Sequence, residues 1–414
     1  MLDLDKNDVA ASPAKLKRKL TLPLLVLYGL GVTIGAGIYV LVGTTAARAG
    51  IYAPISFLVA AAVVAFTGFT YAELSTRHPV SAGEAAYVRA GFNSGTLTLI
   101  IGLLVASSGI VSSAAVSIGA AAYIGEIIPL PQILLTIVII LIVGVIAAWG
   151  ILESVFIAAV FTAIEITGLG LVIYFGVSAE PALLSNVGSL LPPFDGIIWG
   201  GIISASLLAF FAFVGFEDIA NVAEEVIEPH RNMPRGIILT LLVATILYFL
   251  VVSVVVLVVP LADLAGSAAP LVLVFEAAGS TASGIFRLIA IVATTNGVLI
   301  QIIMASRVIY GLSVQKSLPS FLSVVNPVTG TPLTATAVIV ALVVIFATLL
   351  PIAQLAEATS TIVLIVFSVV NLALVRLIMA GQQPTDGVFV VPLWVPVMGL
   401  ISSAALLFFG LLPI

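Results

Sequence analysis

Long apolar runs, separated by short polar or Pro/Gly-rich stretches, dominate the chain. A membrane-spanning helix needs about 20 apolar residues, and eleven runs reach about that length. They lie at about 21–47, 51–76, 95–124, 130–151, 155–178, 199–222, 235–260, 284–315, 333–351, 355–379 and 391–413. The pattern predicts an all-α polytopic membrane protein, and these runs are called spans 1 to 11 below.

The composition supports a membrane protein and excludes several classes of site. Hydrophobic residues make up 62% of the chain and charged residues only 8%, whereas a soluble domain is about 25% charged. Cysteine is absent, which excludes disulfides and thiolate chemistry, and both histidines lie beside prolines in polar loops. No P-loop, G-x-S-x-G or H-E-x-x-H motif occurs. We therefore expect neither an enzyme nor a metal site or cofactor.

The basic residues indicate the orientation of the chain in the membrane. With a cytoplasmic N-terminal tail (1–20), only Arg48 and Arg287 of the 14 Lys and Arg residues lie outside, in agreement with the positive-inside rule. We expect a multi-pass protein of the plasma membrane with an external C-terminus, because eleven is an odd number of spans. The first twenty residues lack the apolar region of a signal peptide.

Two spans are interrupted where a helix would otherwise continue. Span 1 contains "GVTIGAGIYV" (31–40), and each glycine in a helix costs about 1 kcal/mol relative to alanine. Span 6 contains "LLAFFAFVGFEDIANVAEEV" (207–226), where the apolar run meets Gly215 and then Glu217 and Asp218. Matched interruptions five spans apart indicate two inverted repeats. The predicted repeats cover 21–178 and 199–379, with an extra helix at 391–413.

A helix that breaks inside the membrane offers backbone groups to a ligand. Free N–H groups begin its second half and free C=O groups end its first half, so the break binds an anion at one place and a cation at another. A zwitterionic amino acid carries both charges a few ångströms apart. The alternative is that the glycines only allow close helix packing, but the matched positions of the two breaks favour ligand binding.

Four stretches carry a resemblance to a known family. They are "GVTIGAGIYVLVG", "YAELSTRHPVSAGEAAYVRAGF", "FFAFVGFEDIANVAEEVIEPHRNMPRGI" and "ASRVIYGLSVQKSLP". With them the chain resembles the amino acid–polyamine–organocation (APC) superfamily of transporters. The resemblance implies a LeuT-type fold of five plus five inverted-repeat helices, broken in helices 1 and 6. Many members have twelve spans, one more than the eleven predicted here.

The resemblance also implies a substrate site at the two breaks. The substrate carboxylate meets backbone N–H groups in span 1, and its amino group meets carbonyl oxygens at both breaks. An aromatic residue beside the span 6 break covers the substrate, although core packing is the alternative for any one phenylalanine. The implied residues are Gly35, Ala36 and Gly37 for the carboxylate, Thr33, Phe211 and Val214 for the amino group, Gly215 at the break, and Phe211 with neighbouring Phe213 as the cover. The small, apolar lining favours a neutral, small or apolar substrate.

Glu165 lies about 15 Å deep in span 5, where an ionisable group is a functional candidate. Desolvation favours its neutral form, so it is a candidate site for a coupling proton. A sodium ligand, a structural hydrogen bond and a substrate contact are the alternatives. The resemblance implies a lysine or a small polar residue at this position in many relatives. In related folds a span 8 Ser/Thr pair helps to bind Na⁺, and the matching residues here are Thr294 and Thr295. Glu217 is expected to cap the second half of span 6 or to act with Phe211 in gating.

These expectations describe a secondary active amino acid transporter that works by alternating access. The coupling ion is expected to be H⁺, with Na⁺ as the alternative. An amino acid exchanger and a sensor that binds amino acids without moving them also stay open. The expected partners are the amino acid and the lipid bilayer, with no nucleic acid, and the sequence leaves the oligomeric state open.

Overall fold

The computed structural model describes residues 18, 20–80, 83–125, 127–149, 154–181, 183–314, 316–326, 328–329, 331–382, 384 and 387–410. Most of these residues are helical, and the part of the chain they cover contains no β-sheet, only one isolated bridge between Leu20 and Val226. The tail 1–17 and the last four residues of the chain lie outside the described residues.

Eleven apolar helical segments match the predicted spans. Seven are long and apolar enough to cross a membrane, and four shorter apolar helices accompany them. In chain order the spans comprise Leu22–Thr33 with Ala36–Tyr39 and Leu41–Ala49, Ala53–Arg77, Gly95–Gly125, Gln132–Trp149, Ser154–Ala179, Gly196–Phe211 with Phe216–Glu225, Pro229–Val258, Ser283–Val314, Leu333–Leu349, Ile352–Met379 and Trp394–Gly410. The predicted breaks in spans 1 and 6 are therefore present.

Local chemistry explains several helix starts. Proline occupies the first turn of the helices that begin at Leu22, Ala53 and Pro229, where its missing N–H group costs no hydrogen bond. The helix Gly196–Phe211 begins at Asp195, whose side chain accepts hydrogen bonds from the N–H groups of the second and third residues after it. These signals fix where the spans enter the apolar region.

Small residues bring the spans close together. Span 3 packs along span 8, span 2 along span 7, and span 10 against spans 3 and 11. An added Cβ at Gly31 in span 1 would lie 2.1 Å from the Thr162 hydroxyl of span 5, and one at Gly91 would lie 2.8 Å from Cα of Ala373. Because small residues allow such close backbone approach in membranes, the glycines here set the distances between helices.

Helices also form between the spans. The one that concerns the site is Gly83–Phe92, which packs against span 10, span 3 and the helix Phe216–Glu225. Others are Leu183–Asn186, Leu261–Gly266 and Val272–Ala277. The side of the molecule where Leu20 lies is called the N-terminal side below. The division into two inverted repeats, at 21–178 and 199–379, stays a prediction.

Candidate functional site

The break in span 1 separates the helices Leu22–Thr33 and Ala36–Tyr39. Ile34 has an extended backbone, and the N–H group of Gly35 makes no backbone hydrogen bond within the described chain. Gly37 is the second residue of the helix that follows, where an N–H group has no partner within its own helix. An added Cβ at Gly35 would meet no atom within 4 Å. The break therefore presents the unpaired N–H group of Gly35 beside open space at a helix start, an arrangement suited to an anion.

The break in span 6 is more tightly closed. After Phe211 the chain makes short-range hydrogen bonds, including Val214 N–H to the carbonyl oxygen of Phe211 at 3.2 Å. Gly215 then takes φ of +117°, a region that favours glycine, and the 3₁₀-helix Phe216–Glu225 follows. The N–H group of Gly215 donates to the Glu217 carboxyl at 2.9 Å. This hydrogen bond is consistent with the expected role of Glu217 as a cap of the second half of span 6.

The two breaks lie against each other. A Cβ added at Gly37 would stand 2.3 Å from Cα of Ala212, and one added at Gly215 would stand 2.6 Å from the Val32 side chain and 2.8 Å from its carbonyl oxygen. Each break thus uses one glycine to contact the other. This arrangement brings Thr33, Gly35, Gly37, Val214 and Gly215 to one place, and their role in substrate binding stays a prediction. The Ala36 side chain is outside the described residues.

A residue that the sequence reasoning missed joins the two breaks. The Tyr248 hydroxyl group of span 7 lies 2.9 Å from the carbonyl oxygen of Thr33 and 2.8 Å from that of Ala212. A hydroxyl group carries one hydrogen, so it serves the two carbonyls in turn or shares its hydrogen. The Thr33 carbonyl, expected to receive the substrate amino group, already has this partner and keeps a second lone pair. The sequence feature that could have identified Tyr248 is its position as a tyrosine within an otherwise apolar span.

The two predicted aromatic residues differ in surroundings. Phe213 is 1% exposed and packs edge-on against the Tyr248 ring, with centroids 5.1 Å apart. Phe211 is 5% exposed and has no ring contact in the described chain. Phe213 therefore packs in the core beside Tyr248. Of the two residues, Phe211 stays the predicted cover of the substrate.

Glu165 is fully buried and lies among polar groups from three spans. Its Oε1 accepts a hydrogen bond from the Asn296 amide of span 8 at 3.2 Å, while Oε2 has no partner. The Tyr39 hydroxyl donates to the Glu165 carbonyl oxygen at 2.8 Å, and the Tyr123 hydroxyl donates to the Tyr39 carbonyl oxygen. Asn296 was not predicted, although an amide inside an apolar span is a recognisable signal. A buried carboxyl without a cation favours its neutral form.

The hydroxyl groups expected to bind Na⁺ are only partly available. Thr294 donates to the carbonyl oxygens of Ala290 and Ile291, at 2.7 and 3.2 Å, within its own helix. Thr295 is half-buried beside it. Among the described residues, no group of three or more His, Cys, Asp or Glu is arranged to hold a metal ion. Both hydroxyl oxygens keep lone pairs, so Thr294 and Thr295 stay predicted ligands.

Contacts hold the breaks from both sides. Arg48, at the end of span 1, forms an ion pair with Glu357 near the start of span 10. On the N-terminal side, Ile227 N–H donates to the Leu20 carbonyl oxygen at 2.9 Å, which joins the start of span 1 to the end of span 6. These two contacts therefore tie the end of span 1 to span 10 and the start of span 1 to the end of span 6.

Comparison with known proteins gives consistent results. A family model described as "Amino acid permease" matches residues 20–414. The branched-chain amino acid permease BcaP of Bacillus subtilis is 31% identical over 392 residues, which cover 89% of this chain and 82% of the relative. Cationic amino acid transporter 4, vacuolar, of Arabidopsis thaliana is 32% identical over 409 residues, which cover 93% of this chain and 66% of the relative.

A solved structure is similar in fold. It is the substrate-bound, outward-open state of a Na⁺-coupled sialic acid symporter, with a TM-score of 0.59 and 13% identity, covering 93% of this chain and 88% of that chain. At this identity the likeness concerns the fold alone, and it confirms the expected LeuT-type architecture with broken helices 1 and 6. The chain is a multi-pass membrane protein of the amino acid permease family within the APC superfamily, and its relatives are transporters rather than enzymes.

Proposed function

We propose that the protein is a proton-coupled secondary active transporter of neutral, small or apolar amino acids, held at the breaks of spans 1 and 6. The observation that carries this proposal is the mutual contact of the breaks, through Gly37 and Ala212 and through Gly215 and Val32. Unpaired N–H groups in span 1 suit the carboxylate, and the carbonyl oxygens of Thr33 and Val214 suit the amino group.

The substrate class follows from the lining of the breaks. Val32, Ala212 and Val214 are apolar, and no described side chain lies within 4 Å of a Cβ added at Gly35. The name of the B. subtilis relative, a branched-chain amino acid permease, supports an apolar substrate. The Arabidopsis relative is named a cationic amino acid transporter, so lysine and arginine belong in any substrate test.

Glu165 is the proposed coupling group. Its buried carboxyl has Asn296 as an amide partner and a second oxygen without one, and the Tyr39 hydroxyl group donates to the Glu165 backbone carbonyl oxygen. Tyr39 belongs to the short helix that follows the span 1 break, so a change at Glu165 acts on the break through that helix. We place the protein in the plasma membrane with its N-terminal side facing the cytoplasm, as the basic residues indicate.

The test is uptake of a labelled amino acid panel, including leucine, alanine, lysine and arginine, into proteoliposomes without sodium. An inward proton gradient should drive accumulation of a neutral apolar amino acid. Glu165→Gln should abolish accumulation and keep exchange of substrate across the membrane, because the site at the breaks stays intact. Uptake that requires sodium would show that Na⁺, not H⁺, is the coupling ion. Uptake that occurs only when the liposomes contain substrate would indicate an exchanger. Substrate binding without any uptake would indicate a sensor.

A further inference from the structure

Three carboxyl groups surround a small cavity on the N-terminal side of the span 6 break. Glu84, Glu217 and Asp218 line it together with Tyr71 and, from the substrate site, Val214. Glu84 comes from the helix Gly83–Phe92, and the other two acids come from the first turn of Phe216–Glu225. All three are at least 91% buried. These residues are called the carboxyl cluster below.

The elements around the cluster supply no positive charge. Span 3 contributes Val105 and Ser108, span 8 contributes Gln301 and Met304, and span 10 contributes Val363, Val366 and Phe367. The nearest basic residues on these elements, Arg89 and Arg307, are exposed, and Arg77 pairs with Glu73 instead. Within the described chain, no member of the cluster forms a salt bridge.

Few hydrogen-bond donors reach the three carboxyl groups, although the Asn221 amide lies beside Asp218. Tyr71 donates to Glu84 at 3.2 Å, and the Gly215 N–H group donates to Glu217 at 2.9 Å. Asp218 Oδ2 has no partner, although the residue is 3% exposed. A buried, unpaired carboxylate is far less stable than the neutral acid. Glu217, with its N–H donor and its place at a helix start, is the member best able to stay ionised.

A second side chain is directed at the same space. Gln301 of span 8 is 5% exposed, lines the cavity, and its amide makes no hydrogen bond in the part of the chain that the structure describes. A buried amide without a partner is uncommon. Its amide can donate to an ionised carboxyl or accept from a neutral one. Gln301 thus indicates, independently of the acids, that the cavity is a polar site rather than a packing gap.

The size of the cavity limits what can balance the acids. It measures about 10 Å³, close to the room that one water molecule needs, so an ammonium or guanidinium side chain does not fit. The described acids are also not arranged to bind a metal ion. Protons are therefore the species that can neutralise these carboxyl groups. Burial raises the pKa of Glu84, in the helix between spans 2 and 3, to about 7, so this member loses its proton near neutral pH.

We propose that Glu84, Glu217 and Asp218 form a proton-binding site, separate from Glu165, on the path from the substrate site to the N-terminal side. When the helix Gly83–Phe92 moves away from Phe216–Glu225, water enters and each neutral carboxyl passes its O–H proton to it. The resulting carboxylates then repel one another across the two helices, which keeps the path open. The site itself is independent of transport, whereas its link to opening rests on the proposed function.

The test is infrared difference spectroscopy of the purified full-length protein, which resolves the C=O band of neutral carboxyl groups. Raising the pH through 7 should remove part of this band in the wild type. Glu84→Gln and Asp218→Asn should each remove the component of that carboxyl, and Glu217→Gln should change the band least, because Glu217 is the member best able to stay ionised. Glu165→Gln should remove a different component, additive to these. Glu228→Gln is the matched control, because Glu228 is an exposed acid on the same side, and it should leave the band unchanged.

The outcomes separate this proposal from the proposed function. A band identical to that of the wild type in all three cluster variants would overturn the proton site. Loss of the band on addition of lysine or arginine at constant pH would also overturn it, since the cluster would then be a subsite for a cationic side chain. If the variants change the band but the wild type transports nothing in proteoliposomes, the proton site stands and the proposed transport fails.

Discussion

The two broken helices differ in how the backbone N–H groups at their breaks are paired. The span 1 break leaves the N–H group of Gly35 without a backbone partner beside open space, while Gly37 packs against Ala212. The span 6 break pairs its own N–H group of Gly215 with Glu217 and has two further acids beside it. We propose from this comparison that span 1 receives the substrate carboxylate, whereas span 6 carries the titratable groups.

Gly37→Val is the substitution expected to have the largest effect on the two breaks. The new Cβ would lie 2.3 Å from the Ala212 backbone, so the breaks must separate and the substrate site is lost. We expect binding of a neutral amino acid to weaken at least about 100-fold, roughly 3 kcal/mol. Equilibrium binding to folded, monodisperse protein measures it. The matched control is Gly170→Val in span 5, where an added Cβ meets no atom within 4 Å, and equal losses in both variants would contradict the packing argument.

Glu84→Gln should change the pH dependence of stability at the span 6 break. Burial raises the pKa of Glu84 from 4.5 to about 7, so between these values the native protein keeps a proton that the unfolded chain has lost. The wild type therefore loses stability as pH rises from 4.5 to 7, by roughly 3 kcal/mol from this group. The glutamine variant lacks that loss. Thermal unfolding in detergent between pH 4 and 8 shows it, with Glu228→Gln as the control, and parallel profiles for wild type and Glu84→Gln would refute it.

Tyr248→Phe should affect both breaks by a smaller amount. The variant keeps the ring that packs on Phe213 and removes the hydroxyl group from the carbonyl oxygens of Thr33 and Ala212. A buried carbonyl left without a partner costs about 1–3 kcal/mol. We expect a lower melting temperature that substrate partly restores, because the substrate amino group replaces the lost donor at Thr33. A substrate-induced shift no larger than that of the wild type would argue against an amine site there.

Arg48→Gln should have the smallest effect. Its ion pair with Glu357 is about one third exposed on the arginine side, and exposed pairs contribute about 0.2–1 kcal/mol. Because the pair joins the second half of span 1 to span 10, its loss should favour opening on that side. Accessibility of a cysteine introduced at Gly35, in this cysteine-free chain, should rise a fewfold in the variant. Unchanged labelling would show that the pair does not gate the span 1 break.

Local sequence patterns predicted the spans and both breaks, because apolar run length and glycine spacing act on neighbouring residues. Span 3, expected at 95–124, is observed as Gly95–Gly125. The partners across the fold were not predicted. Tyr248 lies 215 residues from Thr33 and Asn296 lies 131 residues from Glu165, and nothing local relates them. Glu84 looked like part of a polar loop, and only the packing of its helix brings it to Asp218.

The most direct test of the central claim is an experimental structure of the protein with a bound substrate amino acid. The account predicts that the substrate carboxylate lies within hydrogen-bond distance of the Gly35 and Gly37 N–H groups, with its amino group at the Thr33 carbonyl oxygen. A substrate bound instead in the cavity between Glu84 and Asp218, away from the span 1 break, would contradict it.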